Sequence, residues 1–129
     1  MPLPGYLSSL VWGVGVGDDG PEVSRRVNTT DRIAFLGTGA MGGAWMRGLI
    51  AAGLTRPDQL VGSDPDRDRL VALVEELGIS AVESNVTAAA GAQVVVLAVK
   101  PWLVVPVMEE IGPHLADGQI VVSIAAGVP

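Results

Sequence analysis

The sequence predicts an α/β protein, a doubly wound parallel sheet of the Rossmann type. Three observations predict it. From Arg32 onward, short apolar runs alternate with stretches of helical spacing. The runs are continuously apolar, as strands covered on both faces require, rather than half-polar. The first run ends in a glycine-rich turn placed before a helix. Counting strands from Ile33, the expected order is 3-2-1-4-5 with right-handed crossovers.

Each element has its own signal. Ile33-Ala34-Phe35-Leu36 is a buried strand ending at a glycine. Residues 40–53 lack proline and place Met41, Trp45, Leu49 and Ala52 at helical spacing, with Gly53 where a helix stops. Gln59–Ser63 is a second strand. Asp66–Leu77 is a helix with Leu70, Leu73, Val74 and Leu77 on one face, closed by Gly78. Ile79–Val82 is a third strand, Thr87–Gly91 a short helical or turn segment, and Gln93–Val99 a fourth strand. Pro106–Ile111 reads as a helix, because Pro106 is tolerated in a first turn. Gln119–Ile124 is the fifth strand.

Residues 1–30 differ. Pro2, Pro4, Pro21, an Asp18-Asp19-Gly20 turn and a polar Asn28-Thr29-Thr30 run leave no period of 2 or 3.6. They read as a disordered leader, the alternative being a partner-docking segment around Leu10-Val11-Trp12. Residues 31–129 then form one α/β domain.

Composition narrows the function. The 129 residues carry 8 Lys+Arg against 14 Asp+Glu, a net charge of −6. That surface is not built to neutralise a nucleic-acid backbone. Hydrophobic residues make up 49%, enough for a core. With no cysteine, disulfides, thiolate nucleophiles and zinc–thiolate sites are excluded. His114, the single histidine, leaves little room for a histidine metal site or a Ser-His-Asp triad, and reads as structural. The longest apolar run, Val94–Val99, is far short of the roughly 20 residues of a membrane span. A soluble, cytoplasmic protein is expected.

The chemistry sits in Gly37-Thr38-Gly39-Ala40-Met41-Gly42, a complete G-x-G-x-x-G between strand and helix. Gly37 permits the tight turn, Gly39 lets a pyrophosphate approach the backbone, and Gly42 lets the helix pack on the strand. The helix N-terminus offers N–H groups and partial positive charge to the phosphates. Asp64 lies 64 − 42 = 22 residues after the third glycine, near the spacing of about 20 at which an acid holds the adenosine ribose of NAD. It reads equally as a cap of the following helix, with Pro65 at the first position. Ser63, Arg67 and Arg69 point the other way, toward a 2′-phosphate and NADP. Met41 and Trp45 read as core or glycine-loop packing, Trp102 as interface or core, and Glu109-Glu110 as a solvated helix face.

Three stretches then carry a resemblance. IAFLGTGAMGGA (33–44), VVVLAVKP (94–101) and VVSIAAGV (121–128) are similar to the N-terminal half of pyrroline-5-carboxylate reductases. The first stretch is shared with hydroxyacid dehydrogenases; Lys100-Pro101 and Ala125-Ala126-Gly127 narrow it. The resemblance implies hydride transfer from NAD(P)H to the C=N carbon of 1-pyrroline-5-carboxylate, giving L-proline, with NADP the expected cofactor and NAD possible. It places Gly37 to Met41 along the pyrophosphate, with Gly42 closing the loop, and Ser63 and Asp64 at the adenosine ribose. Asn85 would contact the cofactor. Ala98, Val99, Lys100 and Pro101 would form the wall beside the nicotinamide ribose, and Ala125, Ala126 and Gly127 would lie close to the nicotinamide. Read by themselves, Asn85 and Ala125–Gly127 are equally turn residues, and Lys100 a partner for a surface carboxylate.

The family continues into a helical domain that forms the dimer and the substrate pocket. This chain ends at Pro129, so the expectation is dinucleotide binding with little or no turnover alone, and no catalytic residue is assigned. The alternatives are another nicotinamide oxidoreductase, such as a hydroxyacid dehydrogenase-like protein, and a non-catalytic NAD(P)-sensing module.

Overall fold

The computed structural model describes residues 10–12 and 31–124. Six parallel strands form one sheet: β1 (Leu10–Trp12), β2 (Ile33–Leu36), β3 (Leu60–Ser63), β4 (Ser80–Ala81), β5 (Val94–Leu97) and β6 (Ile120–Ser123), in the order β1-β6-β5-β2-β3-β4. The five strands after residue 30 have the expected order. The sixth, Leu10–Trp12, falls within the stretch expected to be a leader and pairs in parallel with Val121–Ser123. Three residues are too few for a period to register in sequence, yet their backbone covers the otherwise open edge of β6. The rest of residues 1–30 lies outside the described residues.

Along β2, successive side chains enter opposite faces of the sheet. Ala34 and Leu36 join Val95, Leu97 and Val121 beneath α3 (Asn85–Ala90) and α4 (Val104–Ile111), which contribute Ala88, Ala89, Val107, Met108 and Ile111. Ile33 and Phe35 join Val96, Leu60 and Ile79 beneath α1 (Ala40–Ala51) and α2 (Arg67–Leu77), which contribute Met46 and Leu73. Both faces are therefore dry, which is why the strands read as unbroken apolar runs.

Capping explains the helix boundaries. Asp66 caps α2, its carboxylate accepting from the Arg69 N–H at 3.1 Å, and Gly78 closes it with φ +77°. Ser84 caps α3 by accepting from the Thr87 N–H at 3.0 Å, so that helix starts two residues earlier than its apolar content indicates. A 3₁₀ turn, Pro101–Leu103, feeds directly into α4, which leaves Pro106 in the first turn where it costs no hydrogen bond. Trp45 packs partly buried against the Phe35 cluster. Met41 does not belong to the core, being 49% exposed, and Trp102 at 71% exposure has no core role either. His114 is exposed in a 3₁₀ turn. No helix among the described residues is long and apolar enough to cross a membrane.

Candidate dinucleotide site

The carboxyl ends of β2 and β5 are neighbours in the sheet, but the chain leaves them toward opposite faces: β2 into α1 and β5 into α4. That divergence opens a crevice at the topological switch point, the position where open α/β sheets take ligands.

The glycine loop lines this crevice. Gly37 follows β2 with φ +95°, and a β-carbon on it would lie 2.6 Å from the Ala98 carbonyl oxygen. A β-carbon on Gly42 would lie 2.6 Å from the Gly37 oxygen and 3.2 Å from the Ala98 β-carbon. The loop, the first turn of α1 and the exit of β5 are thus in backbone contact, with Ala98 and Val99 forming the wall. Gly39 is different. A side chain there would meet the Arg69 guanidinium, 3.3 Å away, and no backbone. Gly39 immediately precedes α1 and carries no cap, so the first-turn N–H groups after it have no side-chain acceptor. An uncapped helix N-terminus that begins at a glycine is the kind of place where anions bind in general.

Two loop amides are already committed. The Gly37 N–H donates to the Ser63 carbonyl at 2.8 Å, and the Thr38 N–H to Asp64 Oδ2 at 2.7 Å. The hydroxyl of Thr38, a residue only 2% exposed, donates to the same oxygen at 2.8 Å. Asp64 Oδ1 accepts from the Asp66 N–H at 2.7 Å. Asp64 is therefore not the helix cap; Asp66 is, because the chain needs two more residues to turn from β3 into α2. The amides of Ala40, Met41 and Gly42, in the first turn of α1, have no side-chain cap.

The other candidates fall around this loop. Ser63 is buried, and its hydroxyl donates to Asn85 Oδ1 at 2.8 Å, so it does not present itself as a phosphate ligand. Asn85, the first residue of α3, donates from Nδ2 to Glu110 Oε1 at 2.9 Å. Glu110, read as a solvated acid, is exposed but holds the Asn85 amide in one orientation. Nothing in the sequence marks that contact, since it joins two helices 25 residues apart. Arg67 is pulled away to Glu83 at 3.5 Å, while Arg69 lies 3.9 Å from Asp64 and 3.8 Å from Asp66, over Gly39. Lys100 is exposed at the exit of β5, and no carboxylate among the described residues is within ion-pair distance. Pro101 opens the following 3₁₀ turn. Ala125, Ala126 and Gly127 lie outside the described residues. A groove of about 500 Å³ opens beside Asp64, between Leu70 and Val71 of α2 and Ala81 to Glu83 at the end of β4. No cluster of three or more metal-ligating side chains occurs among the described residues.

The sequence model of the family described as "NADP oxidoreductase coenzyme F420-dependent" matches residues 32–127. The chain belongs to this family. The pyrroline-5-carboxylate reductase of Pseudomonas aeruginosa is 43% identical over 101 residues, covering 78% of this chain and 37% of that protein. The structure of a pyrroline-5-carboxylate reductase from Coxiella burnetii superposes with a TM-score of 0.71 at 36% identity, over 78% of this chain and 37% of that one. That of Plasmodium falciparum, with NADP bound, gives 0.65 at 25% identity, over 75% and 34%. The chain thus spans little more than a third of the length of the relatives it matches.

Proposed function

We propose that this chain is the dinucleotide-binding part of a pyrroline-5-carboxylate reductase that uses NADPH. The observation that carries the reading is the uncapped start of α1 at Gly39, held in backbone contact with the exit of β5. It is supported by 36–43% identity to named reductases. Bound NADPH would supply the hydride that adds to the C=N carbon of the protonated imine of 1-pyrroline-5-carboxylate, the electron pair of that double bond passing to the nitrogen, which already carries its proton and becomes the amine of proline. The chain's own residues bind and orient. The amides of Gly39 to Gly42 hold the diphosphate. Ala98 to Pro101 wall the nicotinamide ribose, and the family resemblance assigns Ala125 to Gly127, outside the described residues, to the ring. Asn85, fixed by Ser63 and Glu110, faces the cofactor with one orientation.

NADP is preferred over NAD in this reading because Arg69 is the cation nearest the loop and the Ser63 and Asp64 side chains are turned inward. The same reading places the protein in the cytoplasm and assigns dimerisation and the substrate pocket to the helical region that longer family members carry. Fluorescence titration of the 129-residue chain with NADPH and NADH tests binding. A chimera in which residues 31–129 replace the matching third of the P. aeruginosa enzyme tests the reaction. Consumption of NADPH that depends on 1-pyrroline-5-carboxylate and yields proline is expected. Absence of binding by a folded chain would overturn the reading; binding without turnover in the chimera would assign a nucleotide-sensing module.

A further inference from the structure

Asp64 stands where an acid ordinarily accepts the ribose 2′-hydroxyl and selects NAD. The structure gives it different work. We infer that Asp64 is a positioning residue that locks the glycine loop into its binding shape and takes no part in choosing between NADH and NADPH. The inference rests on the dinucleotide reading above for its ligand, but its geometry is independent of that ligand.

A ribose acceptor needs an oxygen turned to the crevice. The Asp64 side chain is 6% exposed, and both oxygens are engaged: Oδ2 by the Thr38 N–H and hydroxyl, Oδ1 by the Asp66 N–H. A carboxylate has about four lone-pair positions, three of which these bonds use, and Arg69 stands 3.9 Å from Oδ2. The bonds tie the second residue of the loop to the residue after β3. With the Gly37 N–H on the Ser63 carbonyl, they form a three-point tether between neighbouring strand ends. Thr38 completes the wedge: its hydroxyl points at Asp64 and its methyl at Gly62, where a β-carbon would come within 3.2 Å. With Gly37 and Thr38 fixed to the β3 side, the uncapped first-turn amides after Gly39 are the donors the loop has left. Such a tether acts on every dinucleotide alike, because it shapes the diphosphate cradle common to all of them.

Asp64→Ala, Asp64→Asn and Thr38→Val test this with two measurements. The first is amide hydrogen exchange in the ligand-free chain. Thr38 is expected to be protected in the parent and to exchange at least about tenfold faster in Asp64→Ala, the factor carried by loss of one charge-assisted hydrogen bond. The second is titration with NADPH and NADH. Both affinities are expected to fall together by about tenfold in Asp64→Ala, and by less in Thr38→Val, which loses only the hydroxyl bond. The NADPH to NADH ratio should stay within about threefold of the parent. A selective loss of NADH binding, or unchanged exchange at Thr38, would overturn the inference. If Asp64→Ala does not fold, Asp64→Asn and the isosteric Thr38→Val carry the same comparison. A parent chain that binds neither nucleotide would sink the proposed function, while the exchange measurement would still decide whether Asp64 is the tether.

Discussion

Two glycines on one helix should respond oppositely to the same substitution. Gly42 and Gly48 both lie within α1. A β-carbon on Gly48 has nothing within 4 Å, whereas one on Gly42 would be 2.6 Å from the Gly37 carbonyl oxygen and 3.2 Å from the Ala98 β-carbon. Alanine gains about 0.8–1 kcal/mol of helix propensity over glycine at either position. At Gly48 that gain stands alone, so Gly48→Ala should stabilise by roughly that amount. At Gly42 it is opposed by overpacking against backbone, which costs about 1–3 kcal/mol, and no flexible side-chain end is there to yield. Because the propensity gain is common to both variants, it cancels in their difference, which isolates the steric cost at about 1–3 kcal/mol. Urea denaturation of the parent and both variants measures it. The ligand adds a second axis: Gly42→Ala displaces the Gly37 carbonyl and should weaken NADPH binding, while Gly48→Ala should leave it unchanged. If Gly42→Ala proved as stable as Gly48→Ala, the loop would not be packed against α1 and β5, and the crevice as described would be wrong.

Further outcomes follow from other parts of the structure. Arg69→Ala should weaken NADPH by about tenfold or more, the scale of a lost charge-assisted contact, and leave NADH within a few-fold; equal losses would remove Arg69 from the 2′-phosphate. Leu97→Ala, at a fully buried position between β2 and β6, should cost about 2–5 kcal/mol in chemical denaturation. The fork joining Arg47 on α1 to Glu76 on α2, at 2.6 and 2.8 Å, should give a pH-dependent contribution. The Arg47 hydrogen bond holds the Glu76 carboxyl below its ordinary value of 4.5 against some desolvation. An acid lowered on folding contributes above its unfolded value and loses that contribution as pH falls through the folded one. The Tm difference between the parent and Arg47→Ala should therefore be small and level at neutral pH, shrink below about 4.5, and diminish with salt.

Most of the sheet was legible because both of its faces are buried. Residues such as Phe35, Leu36, Val95 and Leu97 cannot be placed on a half-solvated strand, and helix stops at Gly53 and Gly78 are local events of the backbone. The glycine loop was legible for the same reason, since its spacing records steric demands at Gly37 and Gly42 that the structure shows. What the sequence did not disclose is where polar groups find partners. Asp64 and Asp66 are both acids after β3, and only the fold tells the tether from the cap. The link from Glu110 to Asn85 and the pairing of Leu10–Trp12 with β6 join segments far apart in the chain, where no periodicity reaches.

The charge of the chain and the charge of its crevice are separate quantities. A net charge of −6 argues against a long phosphate backbone, which would demand a broad cationic surface. A dinucleotide presents a single compact diphosphate, so only the local field matters. Around the loop, the acids are turned to protein partners: Asp64 to Thr38 and the Asp66 N–H, Asp66 to the Arg69 N–H, and Glu83 to Arg67. What remains at the loop is the positive end of α1, with the guanidinium of Arg69 over Gly39. In an acidic protein, the hydrogen bonds that turn Asp64 and Asp66 to protein partners are thus among those that hold the loop in place.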